Sequence, residues 1–270
     1  GGAPVFDFDT LSHNISVMSA ASIIEYDSVY YWPGVDRFYV FDGVLRELQN
    51  EMNRNWFFDG INYDYRGKCF AYSVPRWGEI WWCYPRGTAT ECTHAIIFNV
   101  REGSWYDTPL PQSGRSAAGY SQIHRSPLLT GVAEDATTEG YNLWRHEVGV
   151  DEVVNGQSLA IKSYFTTNAY FPAEKGEDVT LFCERIEPDF VQSGNMTAYI
   201  IGQPNARATP IESDPRTFPE VATDRESEAI YFREARRQMN FKFESNEAGG
   251  DYQMGQVMAY VDTLTGRRNT

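Results

Sequence analysis

Runs of four to eight β-branched and aromatic residues, separated by turn residues, recur along most of the chain. Runs that short do not sustain an amphipathic helix, whereas a strand needs no more. The first group is Ala21 to Tyr26, Val29 to Trp32, Arg37 to Phe41 and Val44 to Leu48. Its turns are Asp27-Ser28, Pro33-Gly34-Val35-Asp36 and Asp42-Gly43. The Asp-Gly pair predicts a two-residue type I′ hairpin, which needs positive φ at both central positions. Four short strands in succession read as an antiparallel meander. Cys69 to Val74, Glu79 to Tyr84, Ala95 to Val100 and Trp105 to Leu110 read as a second.

Between the meanders, Glu51 to Asn62 is the best helical stretch, with Met52, Trp56 and Phe57 expected on one face. From Trp32 to Trp81 the spacing is about 50 residues, a propeller-blade period. A third, weaker unit covers Pro127 to Gly131, Tyr141 to Val148 and Leu159 to Tyr170. The chain thus reads as all-β, with β-propeller-like four-stranded antiparallel meanders over residues 1–170 that do not complete a ring. The turn-rich run Phe171 to Glu177 marks the expected boundary to a second, C-terminal β domain over 171–270. That domain holds strands at Val179 to Ile186, Thr197 to Ile201, Ala229 to Ser245 and Tyr252 to Asp262. A long polar arm at 203–228 carries four of the 13 prolines. Ordering an arm of that length costs entropy that a partner subunit could offset.

Composition narrows the function. With 23 basic against 37 acidic residues the net charge is −14. That opposes a nucleic-acid clamp and binding to anionic membranes, both of which need a basic face. No apolar stretch approaches the ~18 residues of a membrane helix. The first residues, Gly1-Gly2-Ala3-Pro4, include no initiator Met, so a processed product or part of a longer chain is expected. Cys69, Cys83, Cys92 and Cys183 form no CxxC pair and are expected as buried free thiols in a reducing compartment.

No nucleophile elbow, zinc-protease, P-loop, dinucleotide-binding or calcium-loop motif is present. His13, His94, His124 and His146 are scattered, and His146 and Glu147 would point to opposite faces of a strand. No catalytic, cofactor or metal residue is expected. Asp36, Asp42, Glu79, Glu91 and Asp107 sit at strand ends and would be the carboxylates of a glycoside-hydrolase propeller. Asn14-Ile15-Ser16 and Asn195-Met196-Thr197 match the glycosylation pattern, with nothing to indicate secretion. The aromatic clusters Tyr30-Tyr31-Trp32, Trp56-Phe57-Phe58, Trp81-Trp82 and Trp105-Tyr106 have two readings. Exposed, they would be sugar-stacking platforms. Buried, they wedge a sheet between other sheets, because a doublet puts one ring on each face.

The run Tyr31-Trp32-Pro33-Gly34-Val35-Asp36-Arg37-Phe38-Tyr39-Val40, with Asn55-Trp56-Phe57-Phe58-Asp59, resembles sequences of short-tailed bacteriophage tail proteins. So do Gly78-Glu79-Ile80-Trp81-Trp82, His94-Ala95-Ile96-Ile97-Phe98-Asn99 and Trp105-Tyr106-Asp107. Phe241 to Asn246, Asp251 to Gly255 and Gly266-Arg267-Arg268 look like the C-terminal end of the same kind of protein. The family resembled, over about half the chain, is the tail nozzle (tubular protein B, or tail hub) with its β-propeller. The resemblance implies a non-enzymatic structural component of the virion tail, assembled in the bacterial cytoplasm. It implies a homo-oligomer, a hexameric ring, below portal and adaptor. It also implies tail adaptor and fibre partners, and a channel that retains and then ejects genomic DNA. Family members are considerably longer, which implies that this chain is a C-terminal part or a short relative. Trp56, Trp81, Trp82, Trp105, Arg236, Arg237, Arg267 and Arg268 are the interface candidates, with Arg115 and Arg125 as further contact charges. The alternative is a carbohydrate-binding or carbohydrate-cleaving propeller for host receptor recognition, with Trp81, Trp82 or Trp105 exposed around paired carboxylates.

Overall fold

The computed structural model describes residues 10, 12–50, 54–111, 114–120, 123–132, 141–154, 156–170, 179–203, 207–220 and 229–265. The chain forms two compact units, Gly1–Val148 and Gly149–Thr270. Strands β1 (Ile24–Tyr26), β2 (Val29–Pro33), β3 (Phe38–Phe41) and β4 (Leu45–Leu48) pair in that order as an antiparallel meander. Helix α1 (Arg54–Gly60) and a 3₁₀ stretch (Tyr63–Lys68) lead to a second meander. It is built of β5 (Phe70–Val74), β6 (Glu79–Tyr84), β7 (His94–Asn99) and β8 (Ser104–Pro109), again in sequence order. The third sheet has β10 (Leu128–Val132) between β9 (Ala117–Gly119) and β11 (Tyr141–Arg145).

Both meanders fall where the strand pattern predicts, but their turns differ from expectation. Asp27 and Ser28 both have positive φ, 52° and 66°, and join Tyr26 directly to its partner Val29. The two-residue hairpin is therefore here. At Asp42-Gly43 only the glycine has positive φ, and the register Phe41–Leu45 leaves a three-residue loop. Since Ser28 carries a Cβ in a left-handed conformation, Ser28→Gly is expected to stabilise unit 1 by about 0.5 kcal/mol. Thermal unfolding of the variant against the parent checks this.

The second meander has no solvent face over its two central strands. All six residues of β6 are buried. Ile80, Trp82 and Tyr84 join a core with Tyr31 and Phe38 of the first meander, Phe57 of α1, Ile96, Phe98 and Trp105. Trp81 and Cys83 point the other way, into a core with Phe70, Tyr72, Val74, Ala95, Ile97 and Leu129 of the third sheet. The period of two along each strand feeds both cores. In α1, Phe57 is fully buried while Trp56 is 49 % exposed, so the expected shared face splits between neighbours; Met52 lies outside the described residues. The third sheet crosses the connection before β9 closely: a Cβ on Gly131 would lie 2.4 Å from the Gly114 carbonyl oxygen.

Unit 2 begins with a hairpin of β12 (Asp151–Val154) and β13 (Gln157–Ala160), then β14 (Ser163–Thr166). There follow β15 (Val179–Ser193), β16 (Met196–Gln203), β17 (Ile211–Glu212) and β18 (Arg216–Phe218). The last strands are β19 (Ile230–Arg236), β20 (Gln238–Ser245) and β21 (Asp251–Thr265). One sheet runs β14-β20-β16, with β17 and β18 both on the far side of β16. The other runs β19-β15-β21. Leu181, Cys183, Ile186 and Phe232 from one meet Met196, Ile200, Phe241 and Phe243 from the other.

One expectation is corrected here. The division falls between Val148 and Gly149 and not at 170/171, because β14 pairs with β20 and belongs to the C-terminal sheet. Part of the polar arm packs within its own unit: 211–212 and 216–218 fold back on β16, and Phe218 is buried. Residues 204–206 and 221–228 of that arm lie outside the described residues.

Candidate functional site

Of the aromatic candidates, three are interior. Trp82 is 1 % exposed, donates Nε1–H to the Ser22 carbonyl at 2.9 Å and stacks on Trp105 with centroids 5.9 Å apart. Trp105 is 8 % exposed and donates to the Gln49 carbonyl at 2.9 Å. Trp81, also 8 % exposed, donates to Glu79 Oε2 at 2.9 Å. With rings buried and donors satisfied, none of the three is a sugar platform or an intersubunit contact in the folded chain. Trp56 is the exposed one, and the Arg86 guanidinium lies 3.5 Å from its ring centroid. Arg86 also donates to the Trp56 carbonyl and to Tyr84 Oη. That arrangement fixes the end of α1.

The arginine candidates divide similarly. Arg236 sits at the end of β19, in an ion pair with Glu234 at 2.7 Å. The Arg237 backbone N–H donates to the Gln203 carbonyl. Arg267 and Arg268 lie outside the described residues. Arg115 is 2 % exposed, too deep for a surface contact. Its Nε–H donates to His146 Nε2 at 2.8 Å, Nη1 to the carbonyls of Pro111 and Gly114, and its plane lies over Trp144. Burial and the Arg115 charge push His146 down to about 4. The expectation that Arg115 is a contact charge is therefore corrected, and no local pattern in the sequence marks it as buried. What buries it is Gly131, which lets the β10 backbone approach.

Four of the five candidate carboxylates are engaged by partners of their own. Asp36 pairs with Arg37 at 2.8 Å, Asp42 with Arg46, and Glu91 with Lys68. Glu79 is buried and accepts hydrogen bonds from Trp81 and the Tyr106 hydroxyl. Burial raises Glu147, with the Glu79 charge adding to it. His146 and Glu147 lie beyond the end of β11 rather than on a strand, and Glu147 has a left-handed φ of 57°. His94 accepts or donates at Thr93 Oγ1, 3.1 Å away, and burial lowers it. Among the described residues no three His, Cys, Asp or Glu side chains are grouped so as to hold a metal.

All four cysteines are free and buried. Burial pushes the Cys69 and Cys183 thiols up to about 12, and Cys83 and Cys92 upward as well. None is then expected to react with a disulfide-exchange reagent at neutral pH while the chain is folded. All four should react on denaturation, which thiol counting would read directly.

An open groove of about 430 Å³ in unit 2 is lined by Glu187, Asp189, Phe190, Phe218, Glu220 and Met258. Its three carboxylates suit neither an anionic ligand nor an apolar one. Comparison with known protein families and with curated proteins finds no match.

Proposed function

We propose that this chain is a non-enzymatic structural component of a short-tailed bacteriophage tail, acting as a homo-oligomer that forms part of the conduit for the genome. The observation that supports this reading best is where the resembling segments fall. Tyr31 to Val40 spans β2 and β3, and Gly78 to Trp82 leads into β6. His94 to Asn99 is β7, Trp105-Tyr106-Asp107 lies in β8, and Phe241 to Ser245 lies in β20. They are framework positions, many of them buried, as a protein whose work is mechanical would require. The aromatic side chains are spent on joining sheets. A wall with net charge −14 repels phosphate and lets a duplex slide, where a basic lumen would hold it.

Electron microscopy of particles assembled from the full chain with its tail neighbours tests the proposal. The expected result is a six-fold ring whose axial hole passes duplex DNA. A monomer that binds defined glycans and never assembles would overturn it.

A further inference from the structure

The open groove of unit 2 is built at a β-bulge. Pro188 pairs with Val257 and Phe190 with Met254, so Gly255 and Gln256 together stand opposite Asp189 alone. A Cβ at residue 255 would lie 2.0 Å from the Asp189 carbonyl oxygen, so the bulge needs glycine there. Asp189 and Gln256 both line the groove, which the bulge thereby shapes. At depth the lining is apolar. Phe218 is buried, and Phe190 lies against it with ring centroids 6.0 Å apart. At the mouth it is acidic, for Asp189 on β15 and Glu220 just beyond β18 are both exposed. No Lys, Arg or His lines the groove.

The third carboxylate, Glu187, is engaged already, by Arg185 at 3.0 Å and the Tyr260 hydroxyl at 3.2 Å. Asp189 and Glu220 form no ion pair with Lys or Arg among the described residues. Glu220 accepts only a long bond from the Gly194 backbone N–H, at 3.4 Å. Two carboxylate charges at the mouth are therefore uncompensated.

We infer that this groove takes an arginine-bearing segment of a partner protein. An apolar interior under an acidic rim repels anions and gives a plain hydrophobe no gain from the carboxylates. A side chain with an apolar stem and a cationic head fits both parts. Arginine fits better than lysine, because its planar fork donates to two carboxylates at once and stacks on an aromatic face. The same sheet already uses that combination: Arg185 pairs with Glu187 and lies 3.8 Å from the Tyr260 ring centroid. A volume of about 430 Å³ holds a guanidinium side chain together with the backbone that carries it. The net charge of −14 draws a cationic segment toward the chain, and the groove fixes where it docks. The inference does not depend on the conduit reading, since the groove would recognise such a segment outside any virion.

Fluorescence anisotropy of a dye-labelled Gly-Gly-Arg-Arg-Gly peptide, titrated with the full chain, tests the inference. The expected dissociation constant is on the order of 0.1 to 1 mM, as for one shallow anchor. The same peptide with citrulline for arginine keeps the shape and loses the charge, and should bind at least about tenfold more weakly. Asp189→Asn combined with Glu220→Gln should weaken the arginine peptide at least about fivefold. Asp59→Asn combined with Asp64→Asn removes the same charge from exposed positions of unit 1 and should leave binding unchanged. All four positions are exposed, so the circular dichroism melts of both variants should match the parent's. Absence of binding by the arginine peptide overturns the inference. So does an equal loss in the two double variants, which would mean attraction to the acidic surface as a whole. A lysine peptide that binds as tightly overturns the assignment of arginine.

Discussion

Trp82→Ala is expected to destabilise unit 1 by about 4 kcal/mol, the usual range for emptying a large aromatic site in a core. The ring is 1 % exposed and lies 5.3 Å from Phe38 and 5.9 Å from Trp105, centroid to centroid. Its loss also deprives the Ser22 carbonyl of the indole donor. Since the same layer is shared by two sheets, neighbours can collapse into the void only by moving both. Trp56→Ala, by contrast, removes a half-exposed ring and one cation–π contact, and should cost about 1 kcal/mol or less. Urea denaturation followed by far-ultraviolet circular dichroism separates the two. Equal small losses would mean that the aromatic layers do not carry the packing described.

The second large effect belongs to Arg115. Truncation to alanine removes a buried guanidinium with three hydrogen bonds and a ring contact, at an expected cost of about 3 to 5 kcal/mol. The pair with His146 also sets a pH dependence. His146 protonates near its ordinary 6.5 in the unfolded chain but only at about 4 when folded. Between those values the unfolded state holds more protons, so stability falls as pH drops through that window and is complete above it. For a half-buried group the loss should be about 2 to 3 kcal/mol. Glu147 works in the opposite sense, because its raised folded value favours the protonated folded state at low pH. His146→Gln keeps an acceptor for Arg115 without the titration. Its stability profile from pH 4 to 6.5 should therefore be flatter than the parent's by about one proton.

How far the sequence speaks for this fold depends on the segment. Both meanders of unit 1 could be read from alternation and punctuation, since Pro75-Arg76-Trp77-Gly78 and Arg101-Glu102-Gly103 break runs too apolar to be anything but strands. The two-faced burial of Trp81 and Trp82 followed from their adjacency. Strand β9, by contrast, is Ala-Ala-Gly and has no propensity of its own; it exists because β10 offers a ladder. The unit boundary was hidden for a related reason. Ser163–Thr166 reads like a continuation of the strands before it, and only its pairing with Lys242–Ser245, far along the chain, assigns it to unit 2. Arg115 and His146 meet through three-dimensional routing that no spacing encodes.

The strand buried on both faces also bears on how the chain is made. Glu79–Tyr84 can be covered on its second side only after Leu129 has been synthesised, some 45 residues later. During that interval a ribosome-bound chain exposes Ile-Trp-Trp-Cys-Tyr, an uncharged apolar and aromatic segment of the kind that seeds intermolecular β-pairing. Slow translation across residues 85–130 would prolong that exposure. Recombinant yield should accordingly respond to chaperone supply and growth temperature more steeply than the stability of the finished protein suggests.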